Sequence, residues 1–404
     1  MATTASPAPA AAPSKRTRGN TLLIFLVPIV LLAGVIALFA FTNGAGLSIK
    51  PVVPIETVQF ERTVLQPGEI ELHLRNTSPQ DVSIAQVNIN DAIWPFTVSS
   101  SSGSIPRLGS AVVTLDYPWV EGQAYAISLF SSNSVAFGTE IAVAAETATA
   151  SSKTLWSFTL VGLYVGVIPV VLGMLWLPGL KRLGPRVMMF LMSATVGLLI
   201  YLGIDATSEG LELGAALGGP FQGVGLVGIG IVGTFLLLDA IGRRQMGGGR
   251  TEASQRMTLA AMIAVGIGLH NLGEGLAIGA AYAVGAATLG TFLVIGFIIQ
   301  NITEGLGIIV PIAKDQPGLR TLALLALVGG APAIIGAWVG GLVASQPLSV
   351  LFLAIGAGAV FQVAYAIGTQ MIWTKDPKRQ MPLTVFSGIT AGMLVLYITG
   401  VIIK

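Results

Sequence analysis

The sequence predicts a polytopic α-helical membrane protein: an eight-helix bundle preceded by one signal-anchor helix and a small all-β sandwich. Three observations point there. Of 404 residues, 53% are hydrophobic and 10% charged, whereas a soluble domain has about 25% charged. Apolar runs long enough to cross a bilayer, which takes about 20 residues, recur along most of the chain. One block near the N-terminus instead alternates polar and apolar residues and is studded with turn formers. Mean hydropathy is +0.81, and the 51 glycines suit close helix packing in lipid.

Taken in order, residues 1–20 form an Ala/Pro/Thr-rich tail ending in KRTRGN, read as flexible and cytoplasmic. The span 21–42, TLLIFLVPIVLLAGVIALFAFT, exceeds the roughly 7–15-residue apolar core of a cleaved signal peptide. It reads as an uncleaved transmembrane anchor, with cleavage near Gly44 left open by the small residues there. Residues 48–146 contain EIELHLRN, DVSIAQVNIN and YAISLF, separated by QPGE, NTSPQD, SSSSGS and SSNS. Period-two alternation between turn clusters predicts a small antiparallel β-sandwich. It is faintly similar to cupredoxin-like domains, but a blue-copper site takes two His and a Cys. The block has His73 alone, between Leu72 and Leu74 and so on a solvated strand face. From Thr154 to the C-terminus eight spans follow, at about 154–177, 187–208, 219–241, 257–280, 289–313, 320–344, 348–373 and 381–403.

Basic residues orient these spans, because cytoplasmic loops are enriched in Lys and Arg. With a cytoplasmic N-terminus, alternate loops hold Lys15, Arg16 and Arg18; Lys181, Arg182 and Arg186; Arg243, Arg244, Arg250 and Arg256; Lys314 and Arg320; and Lys375, Lys378 and Arg379. That is 15 of the 21 basic residues. The expectation is a multi-pass protein of the cell (plasma or inner) membrane, with the β-domain and the C-terminus extracytoplasmic.

Composition also excludes function classes. A net charge of +2 with no basic block outside the loops argues against a nucleic-acid partner. The absence of cysteine removes disulfides, thiolate metal sites, iron–sulfur clusters and thiol nucleophiles. The GxG patterns at 223–230 fall inside an apolar span, not at a strand-to-helix turn, and are weak as nucleotide motifs.

The chemistry lies in the fourth and fifth of the eight spans. HNLGEGL at 270–276 recurs as QNITEGL at 300–306. His270 aligns with Gln300, Asn271 with Asn301, and Glu274 with Glu304, each at a spacing of 30. Residues three and four apart share a helix face, so each motif presents its polar groups together. A charged side chain at a membrane helix centre costs about 2.5–3.5 kcal/mol on insertion scales and marks a functional site by default. Consecutive spans on a short connection are antiparallel neighbours, so the two polar faces can meet near mid-membrane. Together they supply one imidazole, two carboxylates and three amides, a nitrogen and oxygen set suited to a divalent transition ion. The glycines after each glutamate give room there and weaken the helix where ligands adjust. Asp205 and Glu209, one turn apart in GIDATSEGLELG with Glu212 nearby, sit at the outer end of the second span, as groups drawing cations to a mouth or as solvated interfacial residues. Asp239, four residues before Arg243, reads as a local ion pair.

The chain from about 154 to 404 resembles the ZIP (Zrt/Irt-like) family of divalent-metal transporters, on the strength of these paired motifs in the fourth and fifth of eight spans. The resemblance implies eight helices with both ends outside, and a transport site carried by His270, Asn271, Glu274, Gln300, Asn301 and Glu304. The sequence departs from the family's HNxPEG pattern at Gly273 and Thr303, so kinks there come from glycine or are absent. The family's sixth-helix glutamate before proline is Ala331 before Pro332, which argues for one principal ion and against a two-metal centre. The seventh-span segment FQVAYAIGTQMIW offers Gln362, Tyr365 and Gln370 in place of carboxylates, and the 242–256 loop lacks the family's common histidine tract.

The expected function is transport of a divalent transition metal, zinc foremost with iron, manganese or cadmium as further candidates, toward the cytoplasm. The ion is a substrate and no cofactor is required. Two other readings stay open. One is a membrane-embedded zinc metalloenzyme on the same ligands; the other is a transport-inactive, ZIP-derived receptor acting through its β-domain. The expected partners are the metal ion and the lipid bilayer, with homodimerisation and the β-domain's partner left open.

Overall fold

The structure, a computed structural model, describes residues 17–41, 56–100, 103–147, 149–246, 251–283, 287–343, 345–369 and 382–403. Helix α1 (Thr17–Phe41) belongs to a unit separate from the rest of the chain. It exposes a run of apolar side chains from Leu26 to Leu38. Of the basic tail expected at 1–20, residues 1–16 lie outside the described residues, and Thr17 already starts the helix.

The alternating block folds as two four-stranded antiparallel sheets. In chain order its strands are β1 (Val58–Gln66), β2 (Glu69–Asn76), β3 (Ile84–Ile89), β4 (Ala92–Trp94), β5 (Thr97–Val98), β6 (Ser110–Leu115), β7 (Tyr125–Ser131) and β8 (Ala136–Ile141). The sheet orders are β1-β2-β6-β5 and β4-β3-β7-β8. Asn90 and Asp91, both at positive φ, form the two-residue turn between β3 and β4, the backbone that matches strand twist in tight hairpins. Inward residues of both sheets, among them Leu72, Leu74, Val113, Val87, Ile127 and Leu129, share one core. His73 stands on the outer face between Leu72 and Leu74, 3.5 Å from Glu71.

The remainder is helical. The helices are α2 (Ser152–Leu180), α3 (Pro185–Ala216), α4 (Gly223–Met246), α5 (Glu252–Ala283), α6 (Ala287–Ile309), α7 (Leu319–Leu342), α8 (Gln346–Ile367) and α9 (Pro382–Ile403). Seven of them, all but α6, are long and apolar enough to cross a membrane within the described residues; α6 contributes the shorter stretch Leu293–Ile309. The chain is a multi-pass membrane protein with a small β region on its N-terminal side.

Helix boundaries follow local chemistry. Ser151 caps α2 by accepting from the Thr154 amide, and Thr251 caps α5 by accepting from the Ser254 amide at 3.3 Å. Helix α3 runs eight residues past the expected end at 208, because EGLELGAA, although polar, is rich in good helix formers. Asp205, Glu209 and Glu212 consequently lie within the helix and not at its end.

Two helix groups can be distinguished by their packing. α2, α5, α6 and α7 lie against one another, as do α3, α4, α8 and α9; α8 against α5 is the main contact between the groups. The glycines following each motif glutamate serve close approach. A Cβ on Gly275 would overlap the Ala333 carbonyl of α7, and one on Gly305 the Val170 carbonyl of α2. Both α5 and α6 run unbroken through the motifs, so the expected local weakening there is not seen. At one end of the bundle, Arg256 of α5 forks onto Asp315 in the α6–α7 connection at 2.8 and 2.7 Å. At the other end the β region rests on the α3–α4 and α7–α8 connections, which contain no Lys or Arg.

Thermal unfolding in detergent tests the packing assignment. Gly305→Ala should destabilise by about 1–3 kcal/mol through overpacking. Gly228→Ala, whose added methyl meets nothing within 4 Å, should be neutral or gain up to about 1 kcal/mol of helix propensity.

Candidate functional site

Near the middle of α5, His270 and Glu274 lie one turn apart on the face turned toward α6. His270 Nε2 is 3.3 Å from Glu274 Oε1. From α6, Gln300 Nε2 donates to the same Glu274 oxygen and lies 3.4 Å from His270 Nε2. Asn301 Nδ2 donates to Glu274 Oε2 at 3.0 Å. Glu304, one turn further along α6, brings a second carboxylate. Ligand atoms of His270, Glu274 and Glu304 all lie within 4.8 Å of one another, and all three residues are buried.

The hydrogen-bond balance is uneven. Glu274 is held on both oxygens, whereas neither oxygen of Glu304 has a hydrogen-bond partner at 2% exposure. The amides of Gln300 and Asn271 lie beside it without closing a bond of normal geometry. The Oδ1 atoms of Asn271 and Asn301 are also buried and unpaired. Leaving a buried polar group unsatisfied costs about 1–3 kcal/mol, more if it is charged. The two motifs thus leave four buried acceptor oxygens without donors.

Two neighbouring helices are built into this arrangement by prolines. Pro169 in α2 has no N–H for the carbonyl four residues earlier, Val165, and the helix widens into a π-helical turn at Leu163–Val167. Asn301 Nδ2 fills the gap, donating to Val165 O at 3.0 Å. In α7, Pro332 interrupts the ladder at Ala331, and Asn271 Nδ2 donates to Gly329 O at 2.9 Å. Each motif asparagine thus spends its amide on a carbonyl near a proline and keeps its carbonyl oxygen free. The π turn and the break meet directly: a Cβ on Gly166 would overlap the Gly330 carbonyl. Ala331 stands at that break and brings no carboxylate to it.

Of the other residues singled out in the sequence, Asp205 and Glu209 on α3 are accessible. Glu209 is within electrostatic reach of His270 and Glu274, and Asp205 of His270. Gln362 on α8 is 1% exposed with Oε1 unpaired. It lines a cavity of about 190 Å³ with Asp239, Arg243, Tyr365 and Thr369. Asp239 accepts from Arg243 Nε at 2.6 Å, and Gln370 lies outside the described residues. The role of Val165 was not anticipated from the motifs; its signal in the sequence was Pro169 inside an apolar span, four residues downstream.

No protein-family model matches the chain, and no curated protein matches it in sequence.

The asymmetry between the carboxylates is testable on purified protein. Glu304→Gln keeps the shape and removes the ionisable group, so metal-free stability should equal or exceed the parent's. The same change should abolish the rise in melting temperature on adding Zn²⁺. A variant less stable than the parent, with an intact zinc response, would contradict the assignment.

Proposed function

We propose that the protein is a ZIP-like transporter that moves a divalent transition-metal ion, zinc foremost, toward the cytoplasm. The observation that carries this reading is the convergence of His270, Glu274 and Glu304 within 4.8 Å, fully inside the helical bundle, beside buried acceptors that lack donors. One imidazole nitrogen with carboxylate and amide oxygens suits Zn²⁺, and also Fe²⁺, Mn²⁺ and Cd²⁺. Asn271, Gln300 and Asn301 complete or tune the shell. With Ala331 in place of a further carboxylate, the site holds one principal ion.

Topology supports the direction of travel. The basic loops join helices at the end carrying the Arg256–Asp315 fork, and the β region covers connections with no basic residue. The positive-inside rule then makes the fork end cytoplasmic and the β-domain end extracytoplasmic, in the plasma or inner membrane, with α1 anchoring the N-terminus. An ion enters past Asp205 and Glu209, exchanges water for the buried donors, and leaves when one helix group rocks against the other and opens the inner side.

Uptake into proteoliposomes across a panel of divalent ions tests the proposal. The parent protein should accumulate Zn²⁺, and Glu274→Ala and Glu304→Ala should each reduce uptake by about tenfold or more, since removing one ligand typically costs more than removing a supporting contact. A parent that moves no ion, or variants that match it, would refute the proposal.

A further inference from the structure

The β-domain touches both helix groups at the same end, and the two contacts come from one edge strand. On β1, Arg62 Nη1 donates to the Leu342 carbonyl at 2.9 Å, at the last residue of α7. Three residues earlier on the same strand, Gln59 Nε2 donates to Gln346 Oε1 at 2.7 Å, at the first residue of α8. The other end of the Gln59 amide is used as well, since Gly218 N in the α3–α4 connection donates to Gln59 Oε1 at 3.3 Å. A Cβ on Gly218 would collide with Thr77, so the backbone of this connection lies flat against the β-domain. Arg62 therefore holds the group α2, α5, α6 and α7, which carries the candidate metal ligands. Gln59 holds the group α3, α4, α8 and α9, which carries Asp205 and Glu209.

The interface is poorly filled on the Gln59 side. A cavity of about 390 Å³ lies at the junction, lined by residues that include Thr57, Thr77, Thr139, Ala216 and Gln346. Apart from Arg62, the side chains lining and bridging the junction are uncharged. A few polar bonds beside an open groove make a contact that can open, in contrast to the close-packed β-domain core.

From these contacts we infer that the β-domain is a strap across the outer ends of the two helix groups, and that its release from Leu342 accompanies their relative movement. The inference rests on the transport reading for its consequence, but its anatomy can be measured separately. The bond from Arg62 is the releasable half, because it ends on a single backbone carbonyl. The bonds of Gln59 are the retained half, because two partners on the same group share one side chain. The strap restrains the movement that carries an ion inward and sets its rate from outside the membrane.

The chain contains no cysteine, so introduced thiols are unique. Spin labels at Glu140→Cys and Val343→Cys, both exposed positions, report the distance from the β-domain to the end of α7. Arg62→Ala should increase a longer-distance population, and a distribution unchanged by that substitution overturns the strap. Uptake of Zn²⁺ then reads its consequence. Arg62→Ala should raise the initial rate by about 2- to 10-fold, the kinetic equivalent of one partly buried hydrogen bond. Gln59→Cys with Gln346→Cys, joined by a short cleavable thiosulfonate linker, should still transport. Adding Arg62→Cys with Leu342→Cys and linking both pairs should slow uptake by about tenfold or more until a reductant cleaves the linkers. Doubly linked protein that transports at the unlinked rate overturns the strap. If the parent moves no ion, the transport reading fails, and the spin-label distances alone decide whether the β-domain is held through Arg62.

Discussion

Two carboxylates enclosed with one imidazole inside a helical bundle impose the constraint on which the rest of this architecture turns. At the 4.8 Å that bounds the ligand atoms of Glu274 and Glu304, two carboxylates would repel by roughly 3–4 kcal/mol at an effective dielectric of 20 if both were ionised, so only a cation lets both carry charge together. Hydrogen bonds compensate only one of them: Glu274 is gripped by Gln300 and Asn301 while Glu304 is not. Such an arrangement is poor for stability and suited to binding a cation, which would balance both carboxylates at once. Sites that sacrifice stability in this way are characteristic of function.

Holding the ligands in register then becomes a backbone problem, and the neighbouring helices solve it with proline. In a regular helix each interior carbonyl already accepts from an N–H, and a proline leaves one of them without that donor. Pro169 and Pro332 each interrupt the ladder, and Asn301 and Asn271 dock at Val165 and Gly329 in the disturbed turns. The motif helices α5 and α6 stay continuous, and the irregularity resides in α2 and α7. Gly275 and Gly305 bring those partners close enough for the amides to reach. The four helices become a single unit around the site, with α8 set against α5 and α9 against α6.

Much of this was legible in the sequence because period and length are strong signals. The eight apolar spans, the alternating β block and the twin motifs at 270–276 and 300–306 each carry their own geometry. The placement of His73 on the outer sheet face followed from its position between Leu72 and Leu74. Less legible were features fixed by tertiary contact. The continuation of α3 to Ala216 is concealed by its acidic residues, which end a hydropathy run without ending a helix. The room given by the motif glycines was legible but its use was not, since one sequence cannot separate a loose turn from a close helix crossing. The carbonyl of Val165 has no side-chain signature at all; only the missing N–H of Pro169, seen together with the unpaired demand of Asn301, identifies it. The contacts of Arg62 and Gln59 with the bundle depend on how the sheets and the helices meet, which no local pattern encodes.

The central claim is that His270, Glu274 and Glu304 enclose one cation. Anomalous scattering at the zinc edge from crystals of the protein grown with Zn²⁺ measures this most directly. The account predicts a single strong peak within bonding distance of His270 Nε2 and of both glutamates, and none beside Ala331. Two peaks at the site, or a site free of zinc in a structure that binds it elsewhere, would contradict it.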